Sequence, residues 1–359
     1  MELEEERNPE GSPQQKSTIQ STAWSEFTGR QKSFAFVEEI QLSLPPLDMT
    51  PYNIFQLFVD EEIIQMILPS TVMSRNRFEI LLSNLHFTDN TSISPKDRQG
   101  KIINLIDKLQ EKYQKLYSPG ENIVIDETLI PWRGRLFFRQ YIPSKAHKYG
   151  IKMFKLCSSE GFTWASKIYS GKSSEGIRET GLAHNVCIKL AEKLFEKGRT
   201  LYVDNFYTSY ELALTCLDRK THLVGTLRHN KKSMPRDVLD CKLKKGEMIA
   251  KEDEHGIVVL KWKDSRDVRM LSTKHAPYMV QTTKKYNSNQ PATKLKPLAV
   301  VDYNKGKCGI DYSDQMVAYA TTMRKGVKWY RKLGIELLLG TSVVNALVVL
   351  KLQQRETSE

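Results

Sequence analysis

Four aspartates occupy positions where a carboxylate could carry out chemistry, and two of them end apolar runs that predict buried strands. Asp126 follows the run IVI and Asp204 follows the run LYV. Burying an ionised carboxylate is costly unless a cation, hydrogen-bond donors or a metal ion accompanies it. Arg133, Arg135 or a helix N-terminus could satisfy these acids, so their placement leaves a purely structural role open.

A further acidic position comes from Asp311 and Asp314, which share one face if their segment is helical. If the separated acids converge, their hard oxygen atoms suit Mg²⁺ or Mn²⁺. Two such ions can activate a water or hydroxyl and stabilise the leaving oxygen of a phosphodiester. The alternative for Asp314 is an acidic residue that the helix dipole favours near the N-terminus.

A dense series of cations follows Asp126 and alternates with aromatic residues. This composition is typical of a surface that grips phosphates while bases stack on its rings. The plainer interpretation is a solvated basic face around core aromatics, because alternate residues of a strand point to opposite sides. The cations are Arg133, Arg135, Arg139, Lys145, Lys148 and Lys152, and the aromatic residues are Trp132, Phe137, Phe138, Tyr141 and Tyr149.

The net charge favours a polyanionic partner. Lys and Arg number 54 against 42 Asp and Glu, which gives a formal charge of +12, so nucleic acid is the first partner to consider. An anionic membrane is the rival, and residues 333–352 are apolar over about the length that crosses a bilayer. Glu336 and Asn345 interrupt this run, and such side chains are costly at the bilayer centre. We therefore expect a buried helix and no membrane partner.

The cysteines and the N-terminus indicate an intracellular protein. The five cysteines lie far apart and form no C-x-x-C pair, so neither a zinc knuckle nor a disulfide framework is expected. The N-terminal residues are acidic and polar and contain no apolar signal region, which argues against secretion.

Hydrophobic periodicity predicts the elements that must position the acids. From Asn122 the order is β-β-β-α-β-α-β, which suits a mixed sheet with flanking helices. The strands Asn122–Glu127 and Leu201–Asp204 could then lie side by side and bring Asp126 and Asp204 together. Ahead of them, helices are predicted from Thr50, after Ser74 and from Ile102 to Tyr113, as a preface packed on the main body.

Composition divides the chain into five regions. The predicted divisions are a disordered acidic and polar arm (1–48), a helical region (49–120), the first part of an α/β core (121–228), a β-rich insertion (229–300) and the final part of the core with a C-terminal helix (301–359).

Several sequence blocks, read in order, resemble the piggyBac transposases and the domesticated proteins derived from them. The blocks are IDETLIPWRGR, FRQYIPSKAHKYGIK, TLYVDNFYTS, LKWKDSRDVRMLST and GIDYSDQM. The resemblance extends from about Met49 to the end of the sequence. It implies a ribonuclease H-like core with a β-rich insertion before the last catalytic acid.

The resemblance also implies an activity and a site. Family members are metal-dependent DNA transposases that excise through a hairpin and integrate at TTAA. Their catalytic aspartates fall on Asp126, Asp204 and Asp311, with Asp314 matching a further acid, and a two-ion Mg²⁺ or Mn²⁺ site is expected on the first three. The implied DNA-binding residues are Arg133, Arg135, Arg139, Lys145, Lys148, Tyr149 and Lys152.

Two departures from the family pattern shape the expected function. The family's Cys- and His-rich zinc-binding tail does not follow the last block, so no zinc site is expected in this chain. Only residues 69–72 separate two blocks that a helical stretch normally divides, so the helical region used for dimerisation and DNA binding is expected to be shortened.

The expected protein is nuclear and binds double-stranded DNA, and homodimerisation is left open. It is either an active transposase or a domesticated or decayed relative that binds DNA without cutting it. A protein-interaction module without nucleic acid is a third class.

Overall fold

A large mixed sheet, described here from a computed structural model, lies at the centre of the protein. The structure describes residues 22–38, 41–42, 72–143, 145–171, 180–284, 292–319, 326 and 328–356. The described strands are β1 (Trp24–Ser25), β2 (Gln41–Leu42), β3 (Tyr117–Ser118), β4 (Asn122–Pro131), β5 (Gln140–Tyr141), β6 (Tyr149–Ser158), β7 (Thr163–Ile168), β8 (Thr200–Val203), β9 (His222–Thr226), β10 (Met248–Asp253), β11 (Val258–Lys263), β12 (Asp267–Ser272), β13 (Met279–Lys284) and β14 (Ala292–Pro297).

Helices flank the sheet on both sides. The described α-helices are α1 (Arg75–Asn84), α2 (Ile103–Leu116), α3 (Leu182–Ala191), α4 (Tyr210–Asp218), α5 (Arg236–Asp240), α6 (Leu298–Gly306), α7 (Cys308–Tyr319), α8 (Trp329–Ile335) and α9 (Ser342–Glu356). Short 3₁₀ turns occur at Asn90–Ser92 and Glu192–Leu194, and a π-helical turn, Glu336–Thr341, joins α8 to α9.

The order of strands across the sheet confirms the predicted mixed α/β core. The order is β1-β10-β11-β12-β9-β8-β4-β6-β5, and β7 pairs with β6. The pairs β4–β8 and β8–β9 are parallel, whereas the other pairs are antiparallel. The predicted neighbours therefore pair directly, with Ile125 opposite Val203. The strands β10, β11 and β12 of the predicted insertion extend the same sheet beyond β9.

Alternation along the strands separates two hydrophobic layers. Ile123, Ile125, Leu201 and Val203 point to one side, where α3 and α4 cover them. Val124 and Tyr202 point to the other side, against Tyr303 of α6 and Ile310 of α7. Because β8 lies between two parallel neighbours and is covered on both faces, all four of its residues are buried, as expected for a central parallel strand.

The expectation of a disordered arm is wrong for residues 22–38, which lie across the sheet. The buried carboxylate of Glu252 accepts hydrogen bonds from the backbone N–H groups of Thr28, Gly29 and Arg30 at 2.7–3.0 Å. Farther along, the Glu38 carboxylate pairs with the fully buried guanidinium of Arg199 at 2.6 Å. Within this segment, the contacts come from backbone N–H groups and from the Glu38 carboxylate. A periodic pattern of apolar residues is therefore not required for it to bind the sheet.

The predicted helical preface is only partly confirmed. Ser74 caps α1 as expected, because its hydroxyl accepts a hydrogen bond from Arg77 N. On the apolar face of α1, Phe78 and Leu81 are exposed, and no residue of α1 is buried in the described part of the chain. In contrast, α2 buries Ile106 and Tyr113. The helix predicted from Thr50 lies outside the described residues, and the five region boundaries remain predictions.

The C-terminal apolar run forms a helix that packs on the sheet. Among the described residues, one helical stretch, 329–355, is long and apolar enough to cross a membrane, and half of its most apolar window is buried. Asn345 is 3% exposed, and its amide bonds both the N–H and the C=O of Thr163 at 2.8 and 2.9 Å. The two polar residues that interrupt the apolar run are therefore buried. Asn345 bonds the backbone of β7, and the positive charge of Lys155 partly offsets the effect of burial on the pKa of the Glu336 carboxyl.

Candidate active site

The parallel pairing of β4 with β8 brings two acids to one edge of the sheet. Asp126 and Asp204 immediately follow the paired residues Ile125 and Val203, so they occupy matching positions on adjacent strands. Beyond Val203 the chain turns, and the N–H groups of Tyr207 and Thr208 donate to the Asp204 carbonyl at 3.2 and 3.1 Å. The two aspartates therefore lie where β8 stops pairing with β4, which itself continues to Pro131.

A glycine in β9 makes room for this turn. A Cβ atom at Gly225 would lie 2.2 Å from Thr208 Oγ1 and 2.9 Å from the Val203 carbonyl oxygen. Thr208 Oγ1 in turn donates to the Asp204 carbonyl at 2.8 Å. The absence of a side chain at position 225 therefore allows the turn that ends β8 at Asp204.

The two aspartates are held by backbone donors. Glu127 N donates to Asp126 Oδ1 at 2.7 Å, and Phe206 N donates to Asp204 Oδ1 at 2.8 Å. The ion pairs found within the described ranges include none with either carboxylate. Arg133 and Arg135, which could have neutralised them, are exposed.

Burial and like charges make this pair of acids hard to ionise. Burial, followed by the Glu127 carboxylate and to a smaller extent Asp204, raises the pKa of Asp126 to about 8. Burial also raises the pKa of Asp204. The hydrogen bond from Phe206 N–H lowers that pKa, and the negative charge of Glu127 raises it. Removing a carboxylate from water costs free energy, so the ionised form is disfavoured and the pKa rises. Two neighbouring carboxyls with raised pKa values are typical of a functional site.

Asp311 approaches the same region from the opposite layer. Its helix α7 lies directly against the sheet at Gly309, where a Cβ atom would be 2.1 Å from the Ser158 carbonyl oxygen. Asp311 is exposed, two residues farther along. Burial, together with the charges of Asp204, Asp126 and Asp311, raises the pKa of Tyr303 to about 12. All three acids thus lie within electrostatic reach of one phenol.

Asp314 lies in a different environment. Both of its carboxylate oxygens accept from Thr128 Oγ1, at 2.9 and 2.8 Å, and Oδ1 accepts from Lys155 Nζ at 3.0 Å. Lys155 was not among the predicted site residues, although a lysine inside the apolar strand segment IKMFKLC was a visible signal. Of the four acids, Asp314 alone forms an ion pair among the described residues.

The chemistry of the donors fits a hard divalent cation, although the arrangement is incomplete. Asp126 and Asp204 offer adjacent, desolvated carboxylate oxygens, which are the ligands that Mg²⁺ and Mn²⁺ prefer. Within the described ranges, no group of three or more His, Cys, Asp or Glu residues is placed to hold a metal ion. Asp126 and Asp204 would hold the ion, and Asp311, which acts on the same Tyr303 phenol, is the candidate for a further ligand.

Glu127 is a further acid of this site that sequence reasoning did not single out. Its carboxylate lies 3.8 Å from Lys152 Nζ and 3.4 Å from the Tyr207 hydroxyl, and its carbonyl accepts from Lys145 Nζ at 3.1 Å. Two of the predicted DNA-binding cations thus face Glu127. Its position directly after Asp126 in the sequence was the available signal.

The remaining predicted DNA-binding residues lie on an exposed surface. Arg133, Arg135, Arg139, Lys148 and Tyr149 are exposed, whereas the aromatic residues Trp132 and Phe138 are buried in the core. The Arg139 guanidinium lies over the Tyr149 ring at 5.1 Å. A groove of about 820 Å³ adjoins them. Its charged lining consists of Arg133, Arg139, His147, Lys148 and Lys332. This surface has the charge required to contact a phosphate backbone.

The fold is ribonuclease H-like, and comparisons with known proteins place it in a family. A protein family described as Transposase IS4 matches residues 68–347, which is more than half of the chain. A cryo-electron-microscopy structure of the piggyBac transposase synaptic complex with hairpin DNA superimposes with a TM-score of 0.71 and 25% identity. The match covers 87% of this chain and 63% of that one.

Two human proteins are similar over most of the chain. PiggyBac transposable element-derived protein 3 is 27% identical over 273 residues, and PiggyBac transposable element-derived protein 2 is 26% identical over 275 residues. These matches cover 74% and 73% of this chain and 46% of each relative, so the chain spans less than half of their length. The chain belongs to the piggyBac family of transposases.

The raised pKa of Asp126 predicts a pH-dependent stability. Its pKa rises from 3.8 to about 8 on folding, so the folded chain retains a proton that the unfolded chain releases above about pH 4. This carboxyl therefore lowers stability increasingly as the pH rises from about 4 to about 8. In urea unfolding, we expect Asp126→Asn to gain stability over the wild type across that window. Asp107→Asn, at an exposed aspartate, is the control, and parallel curves for wild type and Asp126→Asn would contradict the prediction.

Proposed function

We propose that the chain is a DNA transposase domain that performs metal-dependent cleavage and strand transfer at Asp126, Asp204 and Asp311. The carrying observation is the pairing of Asp126 with Asp204 at the ends of two adjacent parallel strands, where burial raises the pKa of both. This arrangement costs stability, because neither acid forms an ion pair within the described ranges and the charge of Arg228 acts on Asp204 without a direct contact. A bound divalent cation would stabilise both ionised carboxylates.

Each group of residues has a defined role in this proposal. Asp126 and Asp204 would hold Mg²⁺ or Mn²⁺, and Asp311 would approach from α7. Two such ions, when bound, polarise the scissile phosphate and stabilise the leaving oxygen. The backbone N–H groups of Glu127 and Phe206 orient the two carboxylates without neutralising them. The exposed cations beside the groove would hold the phosphate backbone of double-stranded DNA and orient it toward the acids.

Membership of the family and the similarity to a transposase solved with hairpin DNA support DNA as the substrate. A nuclear location belongs to the same proposal, since that compartment contains the DNA. Homodimerisation would be a further property of the active form.

A second candidate function is DNA binding without cleavage. It is favoured by the observation that Asp126, Asp204 and Asp311 form no complete metal-binding group in the described part of the chain. The two human relatives are transposable element-derived proteins. In this case the basic surface would bind DNA and the acids would have no reaction to catalyse.

A cleavage assay separates the two candidates. We expect the full chain to cut duplex DNA containing TTAA in Mn²⁺, and the rate to fall by at least about 100-fold in Asp126→Ala and in Asp204→Ala, as for the loss of a major electrostatic contribution. Asp107→Ala, at an exposed position on α2, should cut at the wild-type rate. Binding of the same duplex should be retained in all variants. Binding without cleavage in the wild type would support the second candidate and overturn the first.

The basic surface predicts a measurable salt dependence. We expect the triple variant Arg133→Ala, Arg139→Ala, Lys148→Ala to reduce the slope of log K against log salt by about 2 to 3, because each phosphate contact contributes about 0.9. The matched control is the triple variant Lys108→Ala, Lys112→Ala, Lys115→Ala, which removes the same charge from exposed positions on α2. Equal slope changes in both variants would show that net charge, rather than this surface, governs binding.

A further inference from the structure

Asp314 is bonded in a way that sets it apart from the other three acids. Thr128 Oγ1 contacts both of its oxygens and Lys155 Nζ contacts one, all at 2.8–3.0 Å. The Lys155 side chain is 3% exposed, against 31% for that of Asp314. The Lys155 ammonium offsets the charge of this carboxylate, and the three hydrogen bonds occupy lone pairs that a metal ion would need.

The buried ammonium of Lys155 is stabilised by its ion pair with Asp314. In the β4–β6 register it lies directly opposite Asp126, within the sheet. A buried ammonium is costly unless it is paired. Besides Asp314, the acids near Lys155 are Asp126, its cross-strand neighbour, and Glu336, and neither forms an ion pair with it among the described contacts. Removing Asp314 would therefore leave a buried ammonium without its ion-pair partner.

The contact fixes the position of α7 along β4. At one end, Gly309 lies against Val124 and Ser158, as shown by the 2.9 and 2.1 Å distances its Cβ would have to Val124 Cγ1 and the Ser158 carbonyl oxygen. At the other end, Asp314 is bonded to Thr128 and Lys155. Asp126 lies between Val124 and Thr128 on the same face of β4, because side chains alternate along a strand.

Asp311 is situated between these two attachment points of α7. Its carboxylate is exposed and has no ion-pair partner within the described ranges, so its position depends on where the helix is attached. A shift of α7 along the sheet would move Asp311 relative to Asp126. A displacement of about 1 Å at a catalytic group can cost a large part of the rate.

We propose that Thr128, Lys155 and Asp314 form a positioning clamp, in which Asp314 acts through Lys155 to fix α7, and with it Asp311, on the face of the sheet that carries Asp126, and is not itself a ligand of the catalytic ions. This inference rests on the proposed function, because it assumes that Asp126, Asp204 and Asp311 bind the metal. It assigns a role to Lys155 and Thr128 and gives Asp314 a role different from that of the other three acids.

The test is a double-mutant cycle with Asp314→Asn, Lys155→Met and the two combined, measured by calorimetric titration of the full chain with Mn²⁺. Each single variant leaves one charge without its partner, so we expect Mn²⁺ binding to weaken by about 10-fold or more, as for other residues that orient metal ligands. The double variant removes both charges at similar side-chain volume and should regain most of the wild-type affinity. Thr128→Val, which removes only the hydroxyl, should weaken binding by a smaller factor and serves if a charge variant fails to fold.

A stability control separates positioning from a general loss of structure. Asn345→Leu breaks the bonds to Thr163 and should lower the thermal midpoint without weakening Mn²⁺ binding at a temperature where the chain is folded. If Asp314→Asn weakens binding and the double variant does not recover it, Asp314 is a ligand and the clamp is overturned. Unchanged Mn²⁺ binding in all clamp variants overturns it as well. A wild-type chain that binds no Mn²⁺ overturns the proposed function itself, and the positioning role with it.

Discussion

The free-energy cost of partly burying two neighbouring carboxylates is the constraint on which the rest of this structure depends. Parallel pairing of β4 with β8 sets Asp126 beside Asp204, and burial raises the pKa of both. Folding must meet this free-energy cost with favourable contacts elsewhere, because a few kcal/mol is a large part of the stability of a domain. Two hydrophobic layers, one on each face of the central strands, supply burial around the site.

The surrounding elements keep the two acids in place without neutralising them. The turn after Val203 and the close approach at Gly225 set where β8 ends, while α7 lies against β4 at Gly309. The cation that could have neutralised the site from within the sheet, Lys155, is bonded to Asp314 instead. The charges are therefore distributed so that one acid is satisfied and two are available to a ligand.

Sequence patterns predicted the strands that carry the candidate site, because strand patterns follow local rules. Apolar runs that end in Asp126 and Asp204 predicted two buried strands, and the order of elements allowed them to be neighbours, which they are in the parallel register. Contacts between residues that are far apart in the sequence could not be predicted from local patterns. Glu252 binds residues 28–30 through their backbone N–H groups, which carry no side-chain signal.

Local patterns also could not predict how α1 packs in the helical region. The spacing of Phe78 and Leu81 predicted a buried face on α1, but a helical period shows only that a face is apolar and does not specify what covers it. The role of Lys155 depends on the cross-strand register and on α7, more than 150 residues along the chain from it. Such a pairing becomes visible only when the strands and helices are assembled.

The most direct test of the central claim is to locate bound Mn²⁺ by anomalous X-ray diffraction from crystals of the chain grown with the ion. If the paired carboxylates form the catalytic centre, an anomalous peak should lie between Asp126 and Asp204 and disappear in crystals of Asp126→Asn. A peak only at other carboxylates, or no peak at millimolar Mn²⁺ while both side chains are ordered, would contradict the account.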